Sequence, residues 1–274
     1  MTDKTESTDE TSGRLQELID LVARLRGDRG CPWDRKQTHE TLRTYLVEEM
    51  FELIDAIDSG SPDSICEELG DVLFQLVFLA QLSDEKGQFD MRGVIHRNAR
   101  KMIRRHPHVF GDAHVSGTSE VRRRWGEIKK TEKPRSRDAS ILDSVPAKLP
   151  ALMRAYRISE RAAGAGFDWE DIHGVLGKVD EELGEFKEAL SNGGSSDADH
   201  TSMMLEFGDI LFTLVNVARF AAIHPETALA GSTRKFEKRF RRMERKAAEK
   251  RKPIDAVPRD ELESFWKEAK NETT

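Results

Sequence analysis

The sequence repeats one pattern of carboxylates in its two halves. Each copy reads Glu-Glu-x-x-Glu and then, after a gap, Glu-x-x-Asp; the second element continues into ELGDVLFQLVFLA in one half and EFGDILFTLVNVA in the other. Carboxylates three or four residues apart share one side of a helix, and two such helices side by side concentrate negative charge that is costly unless a cation neutralises it. The first copy comprises Glu48, Glu49, Glu52, Glu68 and Asp71, and the second comprises Glu181, Glu182, Glu185, Glu206 and Asp209.

The repeat extends beyond the carboxylates. A Trp-acid pair precedes each copy, and a basic pair and a Trp/Lys pair, each four residues apart, follow it: Trp33, Lys101, Arg105, Trp125 and Lys129 in one half, and Trp169, Lys235, Arg239, Trp266 and Lys270 in the other. A period this long, with its order preserved, predicts duplication of a whole helical domain rather than a solenoid. We expect a disordered segment over residues 1–12, helical domains over 13–130 and 151–274, and a linker over 131–150.

The apolar residues recur at helical spacing, and no segment shows the alternation of a strand. A content of 34% charged and 7% aromatic residues suits helices with solvated outer faces. The sequence therefore predicts an all-α protein, with a Gly/Ser-rich loop at 192–196. The predicted helices cover about 15–27, 38–57, 62–82, 91–105, 121–130, 150–163, 172–190, 203–223, 226–250 and 259–270.

Composition excludes several classes of protein. The net charge of −6 argues against a surface that binds nucleic acid as a whole. Cys31 and Cys66 are the only cysteines, too few for a disulfide framework, and the polar N-terminus lacks the apolar core of a signal peptide. The longest apolar stretch, about Val72 to Leu82, is shorter than the ~20 residues that cross a bilayer. We expect a soluble, cytoplasmic protein.

The chemistry of the acidic residues indicates a metal. Glu68 and Glu206 each begin a helix face that is otherwise apolar, which is an unusual place for solvated charge. All-oxygen ligands favour Mg²⁺ or Mn²⁺, and carboxylate-held Mg²⁺ commonly binds substrate phosphates. A di-iron bundle would need Glu-x-x-His on two helices, and the chain offers one candidate, Glu170 to His173.

Basic and aromatic residues near the acidic pattern have two interpretations. Lys235, Arg239 and Arg242 recur on one face of a strongly basic helix, which suits either a metal-bound polyphosphate or RNA. The matching position of Lys101 and Arg105 after the first acidic copy favours the polyphosphate. Trp33 and Trp169 either stack on a nucleobase or anchor a loop.

These motifs identify a resemblance to a known family. The marks are GCPWD, LVEEMFELIDAI, EELGDVLFQLVF and RRHPHVFGD in the first half, LDSVPAKLPALMRA between the halves, and GFDW, VDEELGEFKEAL, EFGDILFTLVNVAR and KFEKRF in the second. With them the chain resembles the MazG family of nucleoside triphosphate pyrophosphohydrolases over about residues 15–270, with two tandem domains.

The resemblance implies tandem all-α domains that form four-helix-bundle-like assemblies completed by dimerisation. It implies Mg²⁺-dependent cleavage, with Mn²⁺ as a substitute, between the α and β phosphates of nucleoside triphosphates in sanitation of the nucleotide pool. It also implies that the second half carries the better-established activity. Neither a membrane nor a nucleic acid is expected as a partner.

Residue roles follow from the same resemblance. In the second half it implies metal ligands at Glu182, Glu185, Glu206 and Asp209. It implies catalytic roles for Glu181, Glu182, Lys235 and Arg239. It implies substrate contacts at Lys235, Arg239, Trp266 and Lys270, and Trp169 is a further aromatic candidate for substrate binding. The first half offers a second candidate metal site at Glu49, Glu52, Glu68 and Asp71, with Glu48, Lys101, Arg105, Trp125 and Lys129 nearby.

Other functions fit parts of the sequence. A helical RNA-binding protein would use the basic C-terminal helix, and a dimerisation module would need no catalytic residue, but both leave the repeated acidic spacing unexplained. A narrower enzyme, a dUTP or dCTP pyrophosphatase, would use the same acidic residues.

Overall fold

The computed structural model describes residues 3–132, 140–191 and 197–272, which fall into two compact units, Met1–Pro134 and Arg135–Thr274. Every regular element within these ranges is an α-helix or a short 3-10 helix, which confirms the predicted all-α class. The predicted loop at 192–196 and residues 133–139 of the predicted linker lie outside the described residues.

The described part of the N-terminal unit contains six α-helices and a short 3-10 helix at Asp34–Lys36. Helix α2 packs against α3, α1 packs on α3, and α4 contacts both α3 and α6. The buried residues of its core are Val22, Leu42, Val77, Phe78 and Leu82. The helices are α1 (Asp3–Arg26), α2 (His39–Ser59), α3 (Pro62–Asp84), α4 (Met91–Arg105), α5 (Pro107–Phe110) and α6 (Thr118–Glu132).

The C-terminal unit contains five α-helices in its described part. Helix α8 packs against α9, α7 contacts α9 and α10, and α10 pairs with α11. Met243, Ala247, Val257 and Phe265 form a buried cluster where α10 and α11 meet. The helices are α7 (Ala151–Ala163), α8 (Ile172–Ser191), α9 (Asp197–Phe220), α10 (Pro225–Glu249) and α11 (Arg259–Asn271).

A tight connection sets the register between α2 and α3. Gly60 ends α2 with φ +72°, a left-handed conformation that glycine adopts without strain, and the Ser61 side chain accepts a hydrogen bond from the N–H of Ser64 at the start of α3. Glu52 and Glu68 each lie eight residues from Gly60. Because the two helices pack as a hairpin, their carboxylates come to the same level.

The helix bounds differ from the predicted ones in several places: α1 starts earlier, α5 was not predicted, and α9 starts at Asp197 instead of about residue 203. Helix α1 begins at Asp3 and so includes residues 3–12, for which the sequence predicts disorder. The polar composition suggested disorder, but these residues extend the helix that the apolar positions from Leu15 onward require, and Glu10 pairs with Arg14 one turn later at 4.0 Å. The predicted linker is partly structured, since Thr131 and Glu132 belong to α6 and a 3-10 helix spans Ile141–Ser144.

One helix is long and apolar enough to cross a membrane by length and composition alone, over Asp199–Phe220 of α9. The longest apolar stretch predicted from the sequence, about Val72 to Leu82, lies in α3 instead. Within its unit α9 packs against α7, α8 and α10, it carries Glu206 and Asp209, and 22% of the segment is buried. Core helices of soluble proteins pass the same test, so this helix alone is weak evidence for a membrane span.

Candidate metal centres

The first cluster of carboxylates lies between α2 and α3. Oxygen atoms of Glu49, Glu68 and Asp71 all lie within 4.8 Å of one another. Glu49 and Glu68 are half-buried, and Asp71 is exposed. We call these three residues the N-terminal triplet. A spacing this short lets one cation contact all three side chains.

The electrostatics of the N-terminal triplet favour a bound cation. Burial, followed by the carboxylate of Asp71, raises the pKa of Glu49. Burial, followed by the carboxylates of Glu52 and Asp71, raises the pKa of Glu68. One oxygen of Glu68 is buried without a hydrogen-bond partner among the described residues. The negative charge is therefore incompletely compensated by the chain, which is the condition that a divalent cation relieves.

Gln75 is a polar neighbour of the N-terminal triplet that the sequence analysis did not identify. It is buried, its Nε2 lies 3.5 Å from Oε1 of Glu49, and its own Oε1 is buried without a described partner. The corresponding position in the second half is Thr213. The two segments are otherwise similar in sequence, so the replacement of threonine by glutamine is the signal by which Gln75 could have been predicted.

The second cluster of carboxylates lies between α8 and α9. Oxygen atoms of Glu182, Glu185 and Glu206 lie within 4.8 Å of one another, and we call these residues the C-terminal triplet. Glu182 is buried. Burial is the main cause that raises the pKa of Glu185, with the carboxylates of Glu182 and Glu206 adding to it and Lys178 opposing it.

Lys178 supplies a positive charge to the C-terminal triplet. Its ammonium lies 2.9 Å from Oε1 of Glu182 and 2.8 Å from Oε1 of Glu181, and these contacts raise the pKa of Lys178. The sequence analysis missed this residue, although its spacing of three and four residues from the two glutamates is a recognisable helical signal. Tyr45 occupies the corresponding position in the first half.

The structure brings together three of the four metal ligands predicted in each half. Asp209 lies on α9 three residues from Glu206 but outside the C-terminal triplet, and Glu52 lies outside the N-terminal triplet. Glu52 is nevertheless close enough to raise the pKa of Glu68. Glu181 pairs with Lys178, and Glu48 contributes to the raised pKa of Glu49. Both sets of carboxylates fit a hard divalent cation because every ligand atom is oxygen.

Each unit also contains an indole flanked by two cations. In the N-terminal unit the Trp125 ring lies 5.8 Å from Cζ of Arg105 and 6.0 Å from Nζ of Lys129. We call these three residues the N-terminal cation platform. Its charges are fixed near an aromatic face, where they attract anions while the ring stabilises the cations.

The C-terminal unit has the same arrangement. The Trp266 ring lies 5.8 Å from Cζ of Arg239 and 5.8 Å from Nζ of Lys270. We call these residues the C-terminal cation platform. Two exposed aromatic rings adjoin it, since Phe236 lies 5.3 Å from Trp266 and stacks on Phe240 at 6.0 Å. The sequence analysis did not identify these phenylalanines.

The two remaining predicted basic residues lie one turn before the platform arginines. Lys235 is exposed on α10. Lys101 is half-buried on α4, where it lines a shallow concavity with Phe89, Val94, Arg97 and Asn98. Their position on the same helix faces as Arg239 and Arg105 follows from the four-residue spacing.

The two loop tryptophans differ in their surroundings. Trp169 is half-buried and its ring packs on the backbone at Gly174, where an added Cβ would lie 3.4 Å from Cδ1 of the indole. Trp33 is 64% exposed. The packing of Trp169 agrees with the loop-anchor interpretation, and its role in substrate binding stays a prediction.

An arginine side chain anchors each of the two loops that contain Trp33 and Trp169. Arg219 on α9 forms a bidentate pair with Asp168, with one bond of 2.9 Å, and its Nε donates to Ser159 on α7 at 2.7 Å. In the other unit Arg26 donates to the carbonyl of Asp34 at 2.6 Å while it pairs with Glu85. These arginines were not predicted from the sequence, because their partners Glu85, Asp168 and Ser159 lie 59, 51 and 60 residues away in the chain.

Comparison with known proteins gives consistent matches. The profile of the MazG nucleotide pyrophosphohydrolase domain matches residues 37–110 and 172–243. The nucleoside triphosphate pyrophosphohydrolase/pyrophosphatase MazG of Thermotoga maritima is 45% identical over 93% of this chain and 95% of its own length. The nucleoside triphosphate pyrophosphohydrolase of Escherichia coli K12 is 39% identical over 94% of this chain and 98% of its own length. The crystal structure of a MazG-related protein from Thermotoga maritima aligns with 43% of this chain and 98% of that chain, at 29% identity and a TM-score of 0.37.

Proposed function

Because this chain belongs to the MazG nucleotide pyrophosphohydrolase family, we propose that it hydrolyses nucleoside triphosphates, both ribo and deoxy, to nucleoside monophosphates and pyrophosphate. Water adds at the α–β phosphoanhydride, the bond to the bridging oxygen breaks, and pyrophosphate leaves. The observation that carries this proposal is the occurrence, in each unit, of both a carboxylate triplet and a cation–tryptophan platform.

The C-terminal carboxylates are proposed to hold Mg²⁺, with Mn²⁺ as a substitute. The proposed ligands are the C-terminal triplet together with Asp209, which lies three residues after Glu206 on α9. A bound Mg²⁺ neutralises charge on phosphate oxygens and makes a coordinated water more acidic. The raised pKa of Glu185 supports the assignment, because the ionised triplet needs a compensating charge.

The remaining residues have proposed roles around the triphosphate. Glu181, next to the ligand Glu182, orients the attacking water and accepts its proton. Glu181 can do so only if the ammonium of Lys178 moves away from it or contacts the water as well. Lys235 and Arg239 stabilise the charge that develops on the leaving phosphates. Trp266, Lys270 and Trp169 are proposed to contact the nucleotide.

The N-terminal carboxylates are proposed as a second metal site. The ligands there are the N-terminal triplet and Glu52, with Glu48, Lys101 and the N-terminal cation platform nearby. The unpartnered oxygen of Glu68 and the raised pKa of Glu49 support a cation at this position.

Assembly and location are also proposed. Large apolar side chains are exposed on α9, among them Met204, Leu205 and Phe207. A second copy of the chain that covers them would complete a helical bundle as a homodimer. The matched relatives are named for activity on nucleoside triphosphates. We therefore propose a soluble, cytoplasmic enzyme that removes unwanted nucleotides from the nucleotide pool.

One experiment tests the activity, the metal and the division of labour between units. Pyrophosphate release is measured on a panel of NTPs and dNTPs, with Mg²⁺ and with EDTA, for the wild type, Asp71→Ala and Asp209→Ala. We expect Mg²⁺-dependent release that Asp209→Ala lowers at least 100-fold, while Glu188→Ala, which removes an exposed carboxylate of α8, leaves it unchanged. Wild-type protein without any release would refute the proposal.

The same panel separates the alternatives. Release confined to dUTP or dCTP would identify the narrower enzyme. An RNA-binding protein would show salt-sensitive RNA affinity that EDTA does not change and no nucleotide turnover. A dimerisation module would tolerate both alanine substitutions without any functional change.

A further inference from the structure

Glu132, the last residue of α6, occupies two arginines of the N-terminal unit. Its Oε1 accepts hydrogen bonds from Nε of Arg104 at 2.9 Å and from Nη2 of Arg104 at 2.6 Å. Both of its oxygens contact Arg105, at 3.2 Å and 3.1 Å from Nε, with a shorter contact to Nη2. Arg105 belongs to the N-terminal cation platform, so an acidic side chain of the protein itself occupies one of the platform's cations.

The contact is partly shielded from solvent. The side chains of Arg105 and Glu132 are each 12% exposed. The two guanidinium groups hold the pKa of Glu132 at about 2, so its carboxylate is ionised at neutral pH. A carboxylate and a phosphate offer a guanidinium the same pair of acceptor oxygens, and both form bidentate pairs with arginine. Glu132 therefore has the charge and geometry of a substitute for a substrate phosphate.

In the sequence of the C-terminal unit, the position that corresponds to Glu132 is not acidic. Aligning Trp125 with Trp266 and Lys129 with Lys270 places Thr273 opposite Glu132, and threonine has no carboxylate. The nearest acidic residue, Glu272, pairs with Arg242, which lies almost one turn beyond Arg239. The two platforms match in the distances from their cations to the indole ring. They differ in sequence at the position three residues after the platform lysine, which is Glu132 in one unit and Thr273 in the other.

We infer that Glu132 is an intramolecular competitor that keeps polyphosphate out of the N-terminal cation platform, so that the N-terminal unit binds its anionic ligand only when this side chain is displaced. The inference rests on the proposed function, since it names the regulation of the second of the two centres. A bound polyphosphate must break the contacts of Glu132 with both arginines, and the free energy of those contacts is subtracted from its binding.

A purely structural role is the competing explanation. Glu132 joins the ends of α4 and α6, so it could serve only to fasten these helices together. Removing it would then weaken the fold and bring no gain in anion binding. Removing a competitor, in contrast, raises the affinity for polyphosphate whatever its effect on stability.

The test measures binding of Mg²⁺-tripolyphosphate by calorimetry to the full-length protein. The background is Asp209→Ala with Arg239→Ala, which weakens binding at the C-terminal unit. Into it we introduce Glu132→Gln, or Glu127→Gln as the control. Glu127 pairs with Arg123 on the same helix at 3.0 Å, and neither Arg104 nor Arg105 is among its ion-pair partners within the described residues. We expect Glu132→Gln to bind about tenfold more tightly than the control, and Arg105→Ala to abolish the gain.

Equal affinity of Glu132→Gln and Glu127→Gln would overturn the inference. If Glu132→Gln does not fold, Glu132→Asp, which keeps the charge and shortens the reach by one methylene, should give a smaller gain, and no gain would again refute it. Pyrophosphate release by the wild type is measured in parallel. Its absence would refute the proposed function alone, because tripolyphosphate binding does not depend on turnover.

Discussion

The ammonium of Lys178 lies 2.9 Å from a carboxylate oxygen of Glu182, a buried member of the C-terminal triplet. The C-terminal unit therefore contains a positive charge at the place where a metal is proposed to bind. The N-terminal unit has the neutral Tyr45 at the corresponding position. The two centres, although their carboxylates match, should differ in how readily they bind a divalent cation.

Replacing Lys178 by methionine should lower the Mg²⁺ concentration that half-saturates the C-terminal centre. The ammonium repels a nearby divalent cation, and a screened repulsion of about 1 kcal/mol corresponds to a change of about fivefold. Mg²⁺-dependent pyrophosphate release, titrated in the Asp71→Ala background, measures it. Lys187→Met, on an exposed position of the same helix, should change nothing, and a higher Mg²⁺ requirement in Lys178→Met would contradict the prediction.

The pair of Arg219 with Asp168 should stabilise the C-terminal unit in a pH-dependent way. Arg219 holds the pKa of Asp168 below its usual value of 3.8. The stabilisation is therefore present above that value and is lost as the pH falls through the lowered pKa of the folded state. We expect Asp168→Asn to cost about 2 kcal/mol at pH 7, in the range of hydrogen bonds to charged groups.

Denaturant unfolding at several pH values measures this effect. The difference between the wild type and Asp168→Asn should shrink as the pH falls below 4, whereas the exposed neighbour Glu170→Gln should show no loss at pH 7. A difference that is the same at all pH values would mean that the arginine pair is not its cause.

Removing the ring of Phe78 should strongly destabilise the N-terminal unit. The ring is 1% exposed and contacts Phe74 edge to face at a centroid distance of 5.8 Å. Truncation of a buried phenylalanine leaves a cavity and costs about 3–5 kcal/mol. Urea unfolding of Phe78→Ala measures this cost, with Phe110→Ala, whose ring is 62% exposed, as the control. Similar losses in the two variants would contradict the position of the core.

The exposed apolar surface of α9 should be a dimer interface. We expect sedimentation equilibrium to give twice the chain mass of 31.1 kDa for the wild type. Leu205→Glu should shift the protein toward the monomer, because Leu205 is 60% exposed in the single chain and a buried unpaired charge is costly. Leu229→Glu, at a similarly exposed position on α10, should remain dimeric, and a wild-type monomer would refute the prediction.

Helical periodicity in the sequence predicted most of the helices and the elements that carry the sites. The 3.6-residue period and the stop at His106-Pro107 predicted a helix over about 91–105, and the structure has α4 at Met91–Arg105, where the Asp90 side chain caps the start. The spacing of Glu182 and Glu185, and of Trp266 and Lys270, placed each pair on one helix face because side chains three or four residues apart must lie together. The duplication and the family resemblance were readable for the same reason, since both depend on the order of residues along the chain.

Which of these helix faces meet, and which charges pair, depends on the packing of the folded chain. Glu49 joins Glu68 and Asp71 while Glu52 stays outside the triplet, and Glu132 reaches Arg104 and Arg105 across 28 and 27 residues of chain, respectively. Such contacts depend on how two helices cross and on the rotamers that packing permits, and no periodicity within one helix contains that information. Helical spacing therefore fixes the members of a face, and the packing of one helix on another fixes its partners.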